Sequence, residues 1–342
     1  MKGKLIPWLI AATLLFAPPG HGREIFDMSG RKVTIPEHIT KVFGITPPAT
    51  YLLYAVNPSV ICGLNFPLWE SEKKYTIPQY RELPVIGGLV GQSRNLNREV
   101  LLQVKPDFLL YWAWNNSAAN AKFEASVAGL NFPMVAVRLD SIQDYPDALE
   151  FIGDVLGKKE RGQLLSQYAR ETLRQAKDFA RRFGDAEKTR VYYAEGPDGL
   201  QTERSESLHA ELIPLAGGVN VHQGEESDRY GMEKVSMEQV LLYDPEVILA
   251  REKSFFTSVY DDPRWQNVRA VRNGQVYLIP HIPFNWFDRP PSYMRLLGIK
   301  WLMHTLHPKL YAVDMVAQTK RFYRLFLGVE LDDHGAREVL YP

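Results

Sequence analysis

The chain is short of the residues that several functions would need. Cys62 is its only cysteine in 342 residues, so no intramolecular disulfide and no cysteine-built metal cluster can form. Net charge is absent too. Forty lysines and arginines stand against 40 aspartates and glutamates, which leaves no overall positive field to hold nucleic acid. Catalytic signatures are missing. None of the eight histidines sits in an HExxH motif, and no GxSxG elbow occurs. The glycine-rich run Gly87-Gly-Leu-Val-Gly-Gln-Ser-Arg94 has neither the Gly-Lys-Ser/Thr of a phosphate loop nor GxGxxG spacing, and reads as a loop at a cleft. Past the first residues, no stretch is apolar enough to cross a bilayer.

What is present begins with a leader. Lys2 and Lys4 precede the apolar run Pro7–Phe16, and Gly20 and Gly22 supply small residues for cleavage before Arg23. Residues 1–22 are therefore expected to be a signal peptide. No cysteine stands at the cut to take a lipid, so the mature protein is expected to be exported and soluble, not a lipoprotein.

A repeated unit sets the domain plan. Glu99-Val-Leu-Leu-Gln-Val-Lys-Pro106 leads into the apolar run Phe108–Trp112, and Glu238-Gln-Val-Leu-Leu-Tyr-Asp-Pro245 leads into Val247–Ala250. Each glutamate precedes its proline by seven residues. Both read as a short helix, a turn fixed by proline and a buried parallel strand. Between the copies lies a helical passage. Ser141 and Asp144 form a capping pair, a first helix stops at Gly157, and a second runs through Lys158–Phe183 with Leu165, Tyr168, Thr172, Ala176 and Phe179 on one face. Strands alternate with helices on both sides, which predicts α/β architecture: two doubly wound α/β lobes joined by one long rigid helix. The expected boundaries are 23–140 for the N-terminal lobe, 141–187 for the linker and 188–342 for the C-terminal lobe. Among smaller elements, a hairpin is expected over Arg23–Pro36, a strand over Val60–Leu64, a helix over Glu206–Ala216 and a last helix over Val313–Leu327.

Ligands of open α/β sheets sit beyond the carboxyl ends of the strands. Collecting those ends gives Arg94, Trp112, Trp114, Tyr193, Arg251, His281, Trp286 and Arg289 as candidate ligand-binding residues. Aromatic faces stack and arginines pair with oxygens, so this set suits a bulky, partly aromatic anion. The histidines assemble no tight metal-ligand motif, and protein ligands to a metal stay unassigned.

The stretches Ile39–Thr50, Asn97–Asp107, Leu215-Ala-Gly-Gly-Val-Asn220 and Val235-Ser-Met-Glu-Gln-Val-Leu241 resemble the periplasmic binding proteins for iron–siderophore complexes, haem and cobalamin that serve ABC importers. The resemblance covers nearly all of the mature chain. It implies a ligand cleft between two lobes, a stiff hinge with small closure, and partners in an inner-membrane permease with its ATPase. It also implies that Glu99 and Glu238 dock into arginine pockets of that permease. Asn285-Trp-Phe-Asp-Arg-Pro-Pro-Ser292 looks like a feature of a subgroup binding iron or other metal chelates and oxyanions. The expected ligand is a ferric siderophore-type complex, with molybdate or tungstate, a nickel chelate or cobalamin as same-fold alternatives. No resident cofactor and no catalytic residue are expected. An exported enzyme is the alternative from another class.

Overall fold

The computed structural model describes residues 22–89, 95–114, 117–224 and 231–342. Eleven strands are formed there: β1 (Gly22–Phe26), β2 (Lys32–Pro36), β3 (Val42–Gly44), β4 (Phe108–Trp112), β5 (Met134–Val137), β6 (Thr189–Ala194), β7 (Gln201–Thr202), β8 (Gly218–Asn220), β9 (Glu233–Lys234), β10 (Val247–Ala250) and β11 (Val276–Leu278). The apolar runs fill two parallel sheets. One has the order β3-β4-β5, the other β8-β6-β10-β11. All of β4 and all of β10 are buried, as continuous apolar strands covered on both faces must be. Bridges Val42–Ile61 and Leu64–Val85 extend the first sheet in parallel. The β1–β2 hairpin pairs antiparallel as its sequence predicts.

The two sheets are built from the same unit. Helices Arg98–Val104 and Met237–Tyr243 start on capping side chains: Asn97 accepts from the Val100 amide and Ser236 from the Gln239 amide. Both end on a left-handed residue, Lys105 at φ 51° and Asp244 at φ 42°. After the proline, the Asp107 amide donates to Lys41 O at 2.7 Å, and the Glu246 amide donates to Arg190 O at 2.8 Å. Their carboxylates accept in return from the Lys41 and Arg190 amides, each at 2.8 Å. The repeat is thus one of hydrogen bonds as well as letters.

The linker is two helices, Tyr145–Val155 and Lys159–Ala180, turned at Gly157 (φ +64°). Ser141 and Asp144 make the expected capping box. The second helix has 22 residues, about 33 Å by its rise, and its buried stripe includes Leu165, Ala169, Thr172, Ala176 and Phe179. It stops at Ala180, short of Phe183, and the chain turns there. Glycines make the two helices cross closely: a Cβ on Gly162 would stand 2.7 Å from Leu149 O.

Several local expectations are corrected. Val60–Leu64 is a 3-10 turn (Pro58–Val60) followed by single bridges. Only Leu212–Leu215 of Glu206–Ala216 is α-helical. Ser207 Oγ donates to Glu203 and accepts from the His209 amide, and that local bonding competes with a helix. The last helix, Met315–Phe322, continues as a π-turn, Tyr323–Leu327, and a further helix, Asp333–Leu340, follows. This C-terminal segment packs back on the first half. Tyr54 Oη donates to Leu327 O at 3.1 Å, Tyr75 meets Tyr323 edge-on, and Lys74 pairs with Glu338. Tyr51 stacks on Phe284 at 4.0 Å, so aromatic packing runs unbroken from one half to the other.

Candidate functional site

At the carboxyl edge of the first sheet stand Trp112 and Trp114, with ring centroids 5.7 Å apart. Two bonds fix Trp112: its amide donates to Thr46 Oγ1 at 3.1 Å and its Nε1–H to Asp140 Oδ1 at 3.1 Å. The Trp114 backbone is clasped by the Asn120 amide side chain at 2.9 and 2.6 Å. Trp112 is largely buried, and Trp114 is half-buried. The pair forms an aromatic ledge held in place by these bonds.

The second sheet offers Arg251 directly after β10 and His281 shortly after β11. Arg251 is partly exposed and pairs with its neighbour Glu252 at 2.6 Å. His281 is half-buried. Burial lowers its pKa, and the Lys253 charge adds to this against a weak bond to Ile279 O. At neutral pH it is an uncharged imidazole, able to accept a hydrogen bond or meet a metal.

Arg289 and Trp286 do not take the places expected of them. Trp286 is fully buried and gives its Nε1–H to Ile282 O at 3.1 Å, so it belongs to the core under the loop and not to a cleft wall. The Arg289 guanidinium, expected to pair with ligand oxygens, is held by the chain's own acids. Its Nε lies 2.8 Å from Glu195 Oε1 and 3.3 Å from Asp288 Oδ2, and its terminal nitrogen bonds Glu203. Three acid side chains surround it, and they also hold a backbone at φ +37° that a non-glycine residue rarely adopts. Tyr193 is likewise fully buried, against Phe287 at 4.8 Å, and its hydroxyl meets no hydrogen-bond partner among the described residues. Arg94 lies outside the described residues.

Around Arg289 the acids separate sharply. Burial raises Glu195 to about 9, with Arg289 opposing and Glu203 assisting. Asp288 is fully buried as well, yet His209 at 2.6 Å, with Arg289 and Arg295, brings it down to about 2. The network continues outward. Arg295, fully buried, donates to Phe287 O and Leu208 O and pairs with Glu211; Glu211 accepts from Ser141 Oγ and the Ile142 amide at the start of the linker. Sequence reading missed Glu203, His209, Glu211 and Arg295. The Asp288-Arg289 dipeptide in an apolar stretch was the signal, since two adjacent buried charges require partners.

Glu99 and Glu238 both occupy the second position of their helices and are exposed. The chain reverses between each helix and its strand, so both helix starts lie toward the carboxyl edges of the sheets. The Asn97 amide bonds Ile86 O there, and the Val235 amide bonds Leu200 O. Among the described residues, no group of three or more His, Cys, Asp and Glu side chains is placed to hold a metal ion, and no helix is long and apolar enough to cross a membrane.

Comparison with known proteins fits this geometry. The family model described as periplasmic binding protein matches residues 70–283. The molybdate-binding protein of Haemophilus influenzae is 27% identical over 345 residues, spanning 92% of this chain and 94% of its own. The vitamin B12-binding protein of Vibrio cholerae is 25% identical over 290 residues, 84% of this chain and 92% of its own. Among solved structures, an ABC transporter solute binding protein from Sulfurospirillum deleyianum superposes with a TM-score of 0.86 at 37% identity, covering 93% of this chain and 98% of that one. Two parallel sheets of one plan, a long helix between them and strand ends facing a common cleft are the two-lobed architecture of those proteins, and the chain belongs to the periplasmic binding proteins that deliver small ligands to an inner-membrane ABC permease and its ATPase.

Proposed function

We propose that this binding protein captures a ferric chelate of siderophore type. The observation that carries the reading is the ledge of Trp112 and Trp114 at the first sheet's carboxyl edge. Half-buried Trp114, backed by the largely buried Trp112, offers an apolar aromatic surface, which a chelator's ring or hydrocarbon body can use and a bare ion cannot. Arg251 and neutral His281, at the corresponding edge of the second sheet, supply a charge and an acceptor for the polar side of such a ligand. The protein acts by capture and delivery, without turnover and without a resident cofactor.

Glu99 and Glu238 are proposed as its two docking points on the permease. We further propose residues 1–22 as a cleaved leader, with 23–140 and 188–342 as the lobes and 141–187 as the linker. A second reading, molybdate, is favoured by the relative that aligns over 92% of the chain and is named for that ion.

The test is a ligand panel. Purified protein is titrated by tryptophan fluorescence with ferric catecholate, ferric hydroxamate, ferric citrate, nickel–histidine, cobalamin and molybdate. A ferric chelate should bind at micromolar concentration or below, quench the emission, and lose most of that quench in Trp112→Phe with Trp114→Phe. Tight molybdate binding with no response to any chelate would replace the reading with the second one.

A further inference from the structure

The matched helices carry more than their glutamates. From Arg98 to Asp107 and from Met237 to Glu246 the sequence of exposed, half-buried and buried positions is identical except at the first residue. Leu101 and Val240 face inward and are fully buried. One residue on, Leu102 and Leu241 are 48% and 40% exposed, and Leu242 is 77% exposed. Helical spacing puts Leu102 and Gln103 on the outer face with Glu99, three and four residues along, and puts Leu241 and Leu242 there with Glu238.

One exposed leucine is ordinary on a protein surface. Two at the same repeat position, each a turn beyond an exposed acid on a helix that starts toward the cleft edge of its lobe, are not accounted for by packing within the chain. Glu238 is charged there, held below the usual carboxylate range by its own amide and the Ser236 hydroxyl.

We infer that Leu102 and Leu241 with Leu242 form two apolar anchors that, beside Glu99 and Glu238, seat the protein on the two equivalent faces of its permease. This rests on the reading of the chain as the permease's delivery protein and deepens it. Each permease half would then offer a cation next to an apolar notch. A partner built twice fits a surface presented twice, and neither a lipid bilayer nor an unrelated protein requires that register. The acids set the approach and its salt dependence, while the leucines set residence time.

The test uses full-length mature protein and its own permease–ATPase complex in lipid nanodiscs, with association and dissociation followed at low and high salt. Leu102→Asn with Leu241→Asn should dissociate roughly a hundredfold faster, about tenfold for each leucine, at both salt concentrations. Glu99→Gln with Glu238→Gln should chiefly slow association and flatten its salt dependence. Gln103→Leu, which completes the first face to match the second, should slow dissociation, an outcome that misfolding cannot produce. A leucine double variant leaving at the wild-type rate while the glutamate variant is impaired overturns the anchors and leaves the delivery function standing. Wild-type protein that never binds the permease overturns both. Self-association that vanishes in the leucine variant, or equal binding to empty nanodiscs, gives the face to a second copy or to lipid and also overturns the inference.

Discussion

Asp288 and Glu195 show how far neighbours decide a residue's chemistry. Both are fully buried carboxyl groups near the one guanidinium of Arg289, yet His209 keeps Asp288 ionised while Glu195 retains its proton at neutral pH. His209→Ala should therefore destabilise the protein by about 3 kcal/mol in urea unfolding, because it strips a close partner from a buried charge. Glu195→Gln copies the protonated acid without having to take up a proton on folding, so at neutral pH it should be more stable than the wild type. The difference should grow with pH. The folded pKa of Glu195 stands above its unfolded value, so its stabilising proton is fully present below about pH 4 and is lost as pH rises through about 9. Melting temperatures of the wild type should fall relative to Glu195→Gln between about pH 6 and about pH 9. Parallel profiles would mean that the carboxyl is already ionised at neutral pH.

At the scale of elements, the crossing of the two linker helices is the most sensitive joint. Gly153 and Gly162 face one another, and a Cβ on either would come within 3.0 Å of the other helix. Gly162→Ala must push the helices apart and should cost about 1–3 kcal/mol, read as a lower denaturant midpoint at constant slope. An unchanged midpoint would show that the crossing relaxes freely. These helices were legible in the sequence because capping, Gly157 and the apolar stripe all agree with the tertiary structure. The repeat unit was legible for the same reason, since Pro106 and Pro245 mark turns whose hydrogen bonds coincide. Elements whose stability comes from distant partners were not. The helix Asp333–Leu340 has its own cap in Asp332, yet what holds it is tertiary packing on the helix Met315–Phe322, with an exposed ion pair from Lys74 to Glu338 reaching the first half. Strand ends could be placed as a class, but whether a side chain there turns to the cleft or the core is set by packing. Trp112 and Trp286 look alike in sequence, and only Trp286 lies wholly inside.

For the molecule as a whole, the decisive prediction concerns Glu99 and Glu238 together. The two lie at equivalent points of equivalent units, exposed, on the edges of the sheets where the ligand is taken up and must leave. Neither forms part of the Trp112–Trp114 ledge or the Arg289 network. Replacing both with alanine should therefore leave ligand affinity within error, whichever ligand the panel identifies. Uptake by the reconstituted importer should be lost, because a protein without either acid has no charged point with which to register on a permease made of two equivalent halves. Single replacements should be milder, since one point remains. The contact joins exposed charges across a partly wet interface, so wild-type uptake should fall with salt, and the reduced uptake supported by single variants should fall less steeply. The measurement is transport into proteoliposomes at rising ionic strength beside ligand titration of the same protein samples. Full uptake by the double variant at ordinary salt would reduce the matched glutamates to a mark of how the two lobes are built. Weakened ligand binding in the same variant would place Glu99 or Glu238 in the cleft itself.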